Sequence, residues 1–259
     1  MPYALITGAS GGIGYELAKL FAKDGNDLIL VARNERKLEE VKQELMEAYG
    51  IDVVCLSCDL SADGACDELY EKTRALGIEV ESLVNNAGYG DCAAFLDADY
   101  KKLENMVRLN VLALMRLTYL YGRDMRDRRK GRILNLASIA GFCSGPYMAT
   151  YFSSKNFVLS FSDALFEELK GSGVSITVVC PGPTRTNFES AADLKSSKMF
   201  KVMKVADADS LARYAYRCMN RGKALGYYDF SNRALNFLCR IFPRSVVRRF
   251  TASVNIPRD

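Results

Sequence analysis

The 259-residue sequence contains no histidine. Histidine is the base in Ser-His-Asp and Cys-His catalytic sites, a common zinc ligand, and the side chain whose usual pKa lies closest to neutral pH. Its absence therefore excludes those catalytic arrangements, histidine-ligated zinc and imidazole acid/base chemistry. We expect no metal site, and an enzyme built from this chain must move protons with another side chain.

Long apolar runs and a strong excess of one charge are also absent. No apolar run reaches the ~18 residues that a membrane-spanning helix needs. The N-terminal segment lacks the basic stretch and the small-residue cleavage site of a secretory signal. The formal net charge is only +4, which does not predict nucleic-acid binding. We therefore expect a cytoplasmic protein with no nucleic-acid partner.

The composition is that of a folded globular chain, with 49% hydrophobic and 25% charged residues. No repeat, low-complexity tract or linker divides the sequence, so a single domain over residues 1–259 is predicted. The eight cysteines are scattered through apolar runs, as buried free thiols are. Cys55 and Cys58 lie three residues apart on a predicted strand, so their side chains point to opposite faces and neither a metal site nor a redox pair is expected.

Short, almost continuously apolar runs alternate with longer segments whose apolar residues recur at helical spacing. The runs cover residues 3–7, 27–32, 52–57, 82–85, 131–137 and 175–180. Such runs are typical of strands buried on both faces of a parallel sheet. The alternation predicts an α/β protein, namely a Rossmann-type doubly wound sheet with helices on both faces in three α/β/α layers. A further helix is predicted over residues 207–222.

A glycine-rich turn joins the first predicted strand to a helix. Its candidate cofactor-binding residues are Gly8, Ser10, Gly11, Gly12, Ile13 and Gly14. Glycines at this place let the backbone turn sharply, approach a pyrophosphate closely and direct the helix N-terminal amides at it. The turn is not a phosphate-binding loop of the Walker type, because no Gly-Lys-Ser/Thr follows. It predicts dinucleotide binding, and an ordinary glycine-rich turn is the alternative.

The end of the second predicted strand indicates which dinucleotide is bound. An acidic residue there would bind the ribose 2′-hydroxyl of NAD. The sequence instead has Arg33, with Lys37 close behind, and a guanidinium can bind the 2′-phosphate of NADP. NADP(H) is therefore favoured over NAD(H). The alternative is that Arg33 and Lys37 are solvated residues at the start of a helix.

Further motifs follow in a fixed order along residues 3–188. They are Thr-Gly-x-x-x-Gly-x-Gly at 7–14, Asn-Asn-Ala-Gly at 85–88, Asn110, Ser138, Tyr-x-x-x-Lys at 151–155, and Pro-Gly at 181–182. In this combination the sequence resembles the classical short-chain dehydrogenase/reductase family, in an NADP-preferring branch. The resemblance implies an oxidoreductase that acts on CH–OH groups, interconverts a carbonyl and a secondary alcohol, and forms a homodimer or homotetramer.

Four side chains are the candidate catalytic set. Tyr151 and Lys155 lie four residues apart on a predicted helix and share a face, so the ammonium should lower the phenol pKa and let Tyr151 exchange a proton with substrate. Ser138 can donate a hydrogen bond to the substrate oxygen. The resemblance implies that Lys155 also holds the nicotinamide ribose and that Asn110 anchors a water in a proton relay. Each has an alternative. Tyr151 and Lys155 would be a routine pair on a helix surface, Ser138 would be a helix cap, and Asn110 would be a buried amide satisfied by backbone.

The resemblance implies further cofactor contacts along the chain. They are Asp59 and Leu60 near the adenine, Asn86, Ala87 and Gly88 at the middle, then Tyr151, Lys155, Pro181, Gly182, Thr184 and Thr186. A loop over residues 183–205 would close over substrate. Phe142, Met148 and Phe188 are candidate substrate contacts, and an aromatic, Met-rich wall predicts an apolar ketone such as a steroid, acyl or aliphatic carbonyl. Core packing explains the same residues equally well.

The C-terminal extension, residues 232–259, carries six arginines and one aspartate among large apolar residues. The favoured interpretation is a helix packed on the body or on a second subunit with its arginines outward. The alternatives are a weak peripheral contact with an anionic membrane and the gathering of a lipid-like substrate.

A non-catalytic NADP-binding sensor on the same fold is the main alternative to an enzyme. The complete set of Ser138, Tyr151, Lys155 and Asn110 argues against it, because a sensor needs no proton relay.

Overall fold

The computed structural model describes residues 2–185 and 205–256. Its central sheet has parallel strands in the order β3-β2-β1-β4-β5-β6-β7. The strands are β1 (Tyr3–Thr7), β2 (Asp27–Ala32), β3 (Val53–Ser57), β4 (Val80–Asn85), β5 (Gly131–Leu136), β6 (Val174–Cys180) and β7 (Leu225–Tyr227). The strand order reverses between β1 and β4, so a crevice forms beyond their carboxyl ends.

Helices cover both faces of the sheet. In chain order they are α1 (Gly12–Lys23), α2 (Glu35–Tyr49), α3 (Ala65–Ala75), α4 (Tyr100–Val107), α5 (Leu114–Asp127), α6 (Ala149–Glu168), α7 (Ala208–Asn220), α8 (Phe230–Ile241) and α9 (Arg244–Asn255). Helices α1, α2 and α7 pack on one face, and α3, α5 and α6 pack on the other. The predicted three-layer Rossmann-type fold is confirmed.

The strand side chains explain why the apolar runs are uninterrupted. Within β1, Leu5 packs into the core beneath α3 and α5, whereas Ile6 packs into the core beneath α1 and α2. Both side chains are fully buried. A strand covered on both faces buries every side chain, and each large one contributes roughly 1.5–3 kcal/mol. All six predicted strands are present, with ends that differ by at most two residues.

The third and seventh strands mark the edges of the sheet. The seventh, Leu225–Tyr227, has three residues and pairs with β6. The sequence did not predict it, because three residues are too few to carry a periodic signal. The predicted helix over residues 207–222 is present as α7.

A chain of buried polar groups links β4, β5 and α6 beneath the crevice. Asn85 Nδ2 donates to Asn135 Oδ1 at 2.9 Å and to Thr118 Oγ1 at 3.0 Å. Asn135 Nδ2 in turn donates to Ser162 Oγ at 2.9 Å. Because hydrogen bonds are directional and costly to leave unmade in a core, these contacts fix α6 relative to the sheet.

Two buried asparagines attach the C-terminal helices to the body. In the amide orientation that satisfies its neighbours, Asn232 of α8 accepts from the Gly182 backbone N–H and donates to Asp229, both at 3.2 Å. Asn255 at the end of α9 donates to the Pro146 carbonyl at 3.2 Å. The two asparagines are 1% and 2% exposed. The C-terminal helices therefore pack on the body, with arginines outward, as the favoured interpretation of the sequence expects.

We predict that Asn232→Ala loosens α8 and exposes the arginines of the extension to trypsin. A buried hydrogen-bonding group left without its partner costs about 1–3 kcal/mol, so the cleavage rate should rise at least about fivefold. The rate is measured by mass spectrometry of timed digests. Asn105→Ala, an exposed residue of α4, is the matched control and should leave the rate unchanged. Equal rates for both variants would contradict the anchoring role of Asn232.

Candidate active site

One cavity of about 1030 Å³ lies at the carboxyl ends of the strands. Most residues predicted for the site line it: Gly8, Ser10, Gly11, Gly12, Ile13, Arg33, Lys37, Asp59, Leu60, Asn86, Ala87, Gly88, Ser138, Met148, Tyr151, Lys155, Pro181, Gly182 and Thr184. Gly14, Asn110 and Phe142 are not part of its wall. Thr186 and Phe188 lie outside the described residues, as does most of the predicted substrate loop. The strand ends thus bring together residues that are far apart in sequence.

The glycine-rich turn is shaped by backbone packing. Gly8 has a φ of +67°, which favours glycine, and its N–H donates to the Val31 carbonyl at 2.8 Å. A Cβ on Gly14 would lie 2.3 Å from the Gly8 carbonyl oxygen. Gly14 therefore serves close packing of α1 on the turn, and its contact with a cofactor stays a prediction.

Asn86 and Thr7 lock this turn to the end of β4. Asn86 Nδ2 donates to the Thr7 and Gly8 carbonyls at 2.9 and 3.3 Å. Thr7 Oγ1 accepts from the Asn86 and Ala87 backbone N–H groups, both at 3.0 Å. The Asn86 side chain is thus occupied with the protein backbone, and it positions the turn. Asn86 also lines the cavity, so the cofactor contact that the resemblance implies stays a prediction.

The residues around the turn fit a phosphate-bearing dinucleotide. No heavy atom lies within 4 Å of the point where a Cβ on Gly11 would stand, so the backbone at the start of α1 is accessible from the cavity. No acidic residue lies in the first turn of α1, whose N-terminus favours anions. Arg33 and Lys37 are exposed and line the same cavity. These groups would hold the phosphates.

Asp59 lies beside Arg33 at the adenine end of the predicted site. Although burial opposes it, hydrogen bonds from Ser61 and the positive charge of Arg33 hold the Asp59 pKa below its usual value. Ser61 donates to Asp59 Oδ1 from its backbone at 3.0 Å and from its hydroxyl at 2.7 Å. The carboxylate is therefore fixed by its own turn and stays ionised.

Ser138 and Tyr151 meet inside the cavity. Ser138 Oγ accepts from the Ala140 N–H at 3.1 Å and so caps the 3-10 helix Ile139–Phe142. Burial raises the pKa of Tyr151 to about 12, and its hydrogen bond with Ser138 acts in the opposite direction. Ser138 thus serves both as the cap that the sequence offered as an alternative and as a partner of Tyr151.

Lys155 is 6% exposed and faces the same space. Its ammonium donates to the Leu136 carbonyl at 2.9 Å and lies 6.0 Å from the centroid of the Tyr151 ring. Burial lowers the Lys155 pKa from 10.5 to about 8. The expected lowering of the Tyr151 pKa by Lys155 is absent from this arrangement, because burial of the phenol dominates at that separation. The two side chains do share one helix face, as predicted.

Asn110 lies behind the cavity wall in a π-helical turn, Arg108–Ala113. Its amide donates to the Tyr89 carbonyl at 2.9 Å and accepts from the Tyr89 N–H at 3.1 Å. It is therefore a buried amide satisfied by backbone, the alternative left open by the sequence. A Cβ on Gly88 would lie 2.9 Å from Asn110 Oδ1 and 3.5 Å from Lys155 Nζ, so the two groups flank Gly88. The water-anchoring role stays a prediction.

The two described candidate substrate contacts, Met148 and Phe142, differ in whether they line the cavity. Met148 is buried and lines the cavity. Phe142 does not line it, and its role as a substrate contact stays a prediction without support from the cavity wall. Its ring packs against Tyr227 of β7, with centroids 5.9 Å apart, while the adjacent Cys143 lines the cavity instead. The edge strand β7, which was not predicted, thus provides the apolar contact for the Phe142 ring outside the cavity wall.

No residue of the C-terminal helices was predicted to line the cavity, although the gathering of a lipid-like substrate was one alternative for this segment. Residues from both helices line the cavity, namely Ser231, Ala234, Leu235, Leu238, Cys239, Phe242, Val246, Val247, Phe250, Thr251, Val254 and Asn255. The helical spacing of Leu235, Leu238 and Phe242 was a signal for one apolar face. Nothing in that spacing indicates which surface the face covers.

Two further expectations concern the surroundings of the protein. Among residues 2–185 and 205–256, no helix is both long enough and apolar enough to cross a bilayer. The cytoplasmic location and the homo-oligomeric state stay predictions.

We predict that Lys155→Met stabilises the protein at pH 7 in the absence of added cofactor. The pKa of Lys155 is about 8 in the folded protein and 10.5 in the unfolded chain. Burial of the charged lysine therefore lowers the free energy of unfolding in full below pH 8, and this cost disappears as the pH rises to 10.5. Allowing for the lost Leu136 hydrogen bond, we expect a gain of ~2 kcal/mol at pH 7 and none near pH 10.5. Urea unfolding at both pH values measures it.

Lys101→Met, at an exposed lysine of α4, is the control and should change the free energy of unfolding by less than ~0.5 kcal/mol at either pH. A destabilised Lys155→Met variant at pH 7 would show that the buried ammonium is not a net cost.

The chain was compared with known proteins. The family model for short chain dehydrogenases matches residues 2–196. A very-long-chain 3-oxoacyl-CoA reductase from Anas platyrhynchos is 35% identical over 185 residues, which cover 69% of this chain and 58% of that protein. The chain thus spans little more than half the length of the curated relatives it matches.

Solved structures extend the similarity to nearly the whole fold. A short-chain dehydrogenase from Sphingobium yanoikuyae in complex with NADPH has a TM-score of 0.82 and 28% identity, over 95% of this chain and 98% of that one. A bulky-bulky ketone specific alcohol dehydrogenase from Comamonas testosteroni has a TM-score of 0.78 and 27% identity, over 95% and 96%. The sequence match, the fold and the motif residues around the cavity agree, and the chain belongs to the short-chain dehydrogenase family.

Proposed function

We propose that the chain is an oxidoreductase that uses NADP(H) to interconvert a carbonyl and a secondary alcohol. The observation that carries this proposal is the meeting of Ser138, Tyr151 and Lys155 in one cavity with an accessible glycine-rich turn. When bound, the nicotinamide cofactor supplies or accepts the hydride. The protein has to bind the substrate oxygen and move one proton to or from it.

Ser138 and Tyr151 are the groups that act on that oxygen. The Ser138 oxygen accepts from the Ala140 N–H, and the Ser138 hydroxyl, which is hydrogen-bonded with Tyr151, can turn to donate toward a developing oxyanion. Tyr151, with a pKa of about 12, holds its proton at neutral pH and can donate it. The site is therefore suited to the reduction of a carbonyl, in which the proton must be present on Tyr151 at the start.

Lys155 has to stabilise the phenolate that remains. It stays mostly protonated at pH 7 with a pKa of about 8, and its carbonyl contact with Leu136 holds it near Tyr151. Among the described residues, no acidic side chain forms a hydrogen bond or an ion pair with Lys155, so its charge is available to the phenolate and to ribose hydroxyls. The buried lysine thus favours the charged state that proton transfer creates.

An apolar ketone is the proposed substrate class. The cavity wall beyond Tyr151 is formed by Met148, Phe152, Leu235, Leu238 and Phe242, which offer aliphatic, aromatic and thioether surface. Such a wall suits a steroid, an acyl chain or another aliphatic ketone. The names of the relatives, a very-long-chain 3-oxoacyl-CoA reductase and a bulky ketone dehydrogenase, support the acyl and bulky-ketone members of that set.

The preference for NADP over NAD rests on Arg33 and Lys37. Both line the cavity at the end that would hold the adenosine ribose, and among residues 2–185 and 205–256 Arg33 forms no salt bridge, although its charge acts on Asp59. A guanidinium binds a phosphate by charge-assisted hydrogen bonds, which are the strongest neutral-pH contacts available there. The similar structure that holds NADPH supports this assignment.

We predict that Tyr151→Phe loses at least about 10²- to 10⁴-fold in kcat with an apolar ketone and NADPH, because the proton donor is gone. The dissociation constant of NADPH, measured by fluorescence titration, should change by less than about twofold. Tyr121→Phe removes an equally buried hydroxyl beneath the sheet and should keep kcat. Full turnover by Tyr151→Phe would refute the assignment, and a wild-type protein that binds NADPH but reduces no member of a broad carbonyl panel would favour the sensor.

We predict that Arg33→Ala weakens NADPH binding by about 10- to 100-fold and leaves NADH binding nearly unchanged, because only NADPH carries the 2′-phosphate. Fluorescence titration with both cofactors measures the ratio. Arg36→Ala is the matched control, since Arg36 lies three residues away, pairs with Glu40 at 3.3 Å and does not line the cavity. If the wild type bound NADH and NADPH with equal affinity, the proposed preference for NADPH would be wrong.

A further inference from the structure

Helix α8 presents an apolar face to solvent. Phe230, Phe237 and Ile241 are 84%, 62% and 60% exposed, and none of them lines the cavity. Their spacing of seven and four residues places them on one side of the helix. Scattered exposed apolar side chains are ordinary, but three large ones aligned on one helix form a patch. Such a patch is typical of a surface that is covered by a partner.

The same helices carry an excess of positive charge. The exposed arginines are Arg233, Arg240, Arg244, Arg248 and Arg249. Within the described part of the chain, none of them forms a salt bridge, unlike Arg116 and Arg213, which pair with aspartates. The one acidic residue at the start of α8, Asp229, is used to cap the helix. Among the residues that the structure describes, the charge of this surface is therefore uncompensated.

The patch is continuous with the mouth of the cavity. Leu238, Phe242 and Phe250 line the cavity and are also 45%, 49% and 59% exposed. An apolar ligand that passes this mouth stays in contact with apolar side chains. The mouth therefore opens at the surface that combines aromatic residues with unpaired arginines.

We propose that the outer face of α8 and α9 docks on an anionic lipid surface, with the cavity mouth turned toward the lipid. Large apolar side chains flanked by arginines match a bilayer interface, where the rings enter the acyl boundary and the guanidinium groups meet lipid phosphates. A second copy of the same face would bring ten arginines together without counter-charges, so self-association fits less well. The docking is independent of the proposed function, whereas entry of an apolar ketone from the lipid rests on it.

Co-sedimentation of the full chain with vesicles tests the proposal. Vesicles of phosphatidylcholine alone are compared with vesicles that contain phosphatidylserine, at low and high salt. We expect the wild type to pellet with the anionic vesicles only and to be released by salt. Arg240→Gln with Arg244→Gln should lower the partition coefficient about 30-fold, the equivalent of about 1 kcal/mol per arginine. Phe237→Ser with Ile241→Ser should lower it by a similar factor.

Matched controls remove the same groups from other surfaces. Arg36→Gln with Arg213→Gln changes the net charge equally, and Leu76→Ser with Leu96→Ser removes two exposed leucines. Both controls should pellet like the wild type. A wild type that stays in the supernatant, or C-terminal variants that pellet undiminished, would overturn the proposal. So would a wild-type dimer, seen by light scattering, that Phe237→Ser with Ile241→Ser dissociates. Because no substrate or cofactor is present, failure here is distinguishable from failure of the proposed reaction.

Discussion

The site depends on the contact between the glycine-rich turn and the end of β4. A Cβ on Gly14 would stand 2.3 Å from the Gly8 carbonyl, so α1 can lie this close only without a side chain. Asn86 and Thr7 then join the turn to β4 through four hydrogen bonds. Since the N-terminus of α1 and the backbone leading to Gly88 are set by the same contact, the phosphate end and the catalytic end of the cavity are positioned together.

The catalytic end combines burial with charge. Lys155 is held by the Leu136 carbonyl, and Asn110 lies on the other side of Gly88, where it fixes the Tyr89 backbone. An ammonium in such a place is less stable than in water, and a phenol there resists ionisation. Each group is therefore shifted toward its neutral form. A proton that leaves Tyr151 creates a phenolate beside this ammonium, and the two charges then stabilise each other.

Much of this architecture could be predicted from the sequence. Strands buried on both faces leave uninterrupted apolar runs, and the carboxyl ends of parallel strands meet at one edge, so motif residues such as Ser138 and Gly182 were expected in one place. The features that the sequence did not predict are tertiary in origin. Phe142 packs against Tyr227 of a three-residue strand that has no periodic signal, and the Tyr151 pKa is governed by burial, which spacing along a helix does not report. The π-helical turn around Asn110 likewise leaves no local pattern.

The C-terminal helices show why a sequence pattern and a surface are different kinds of information. Arginines mixed with large apolar residues fit a helix packed on the body and a helix lying on lipid equally well, because both need one apolar face. The structure separates two faces on α8. Leu235 and Cys239 line the cavity, whereas Phe230 and Phe237 point away from it. A helix that only covers the cavity needs no apolar face other than the one that contains Leu235 and Cys239. The second face, whose arginines form no salt bridge within the described residues, is the face that we propose docks on lipid.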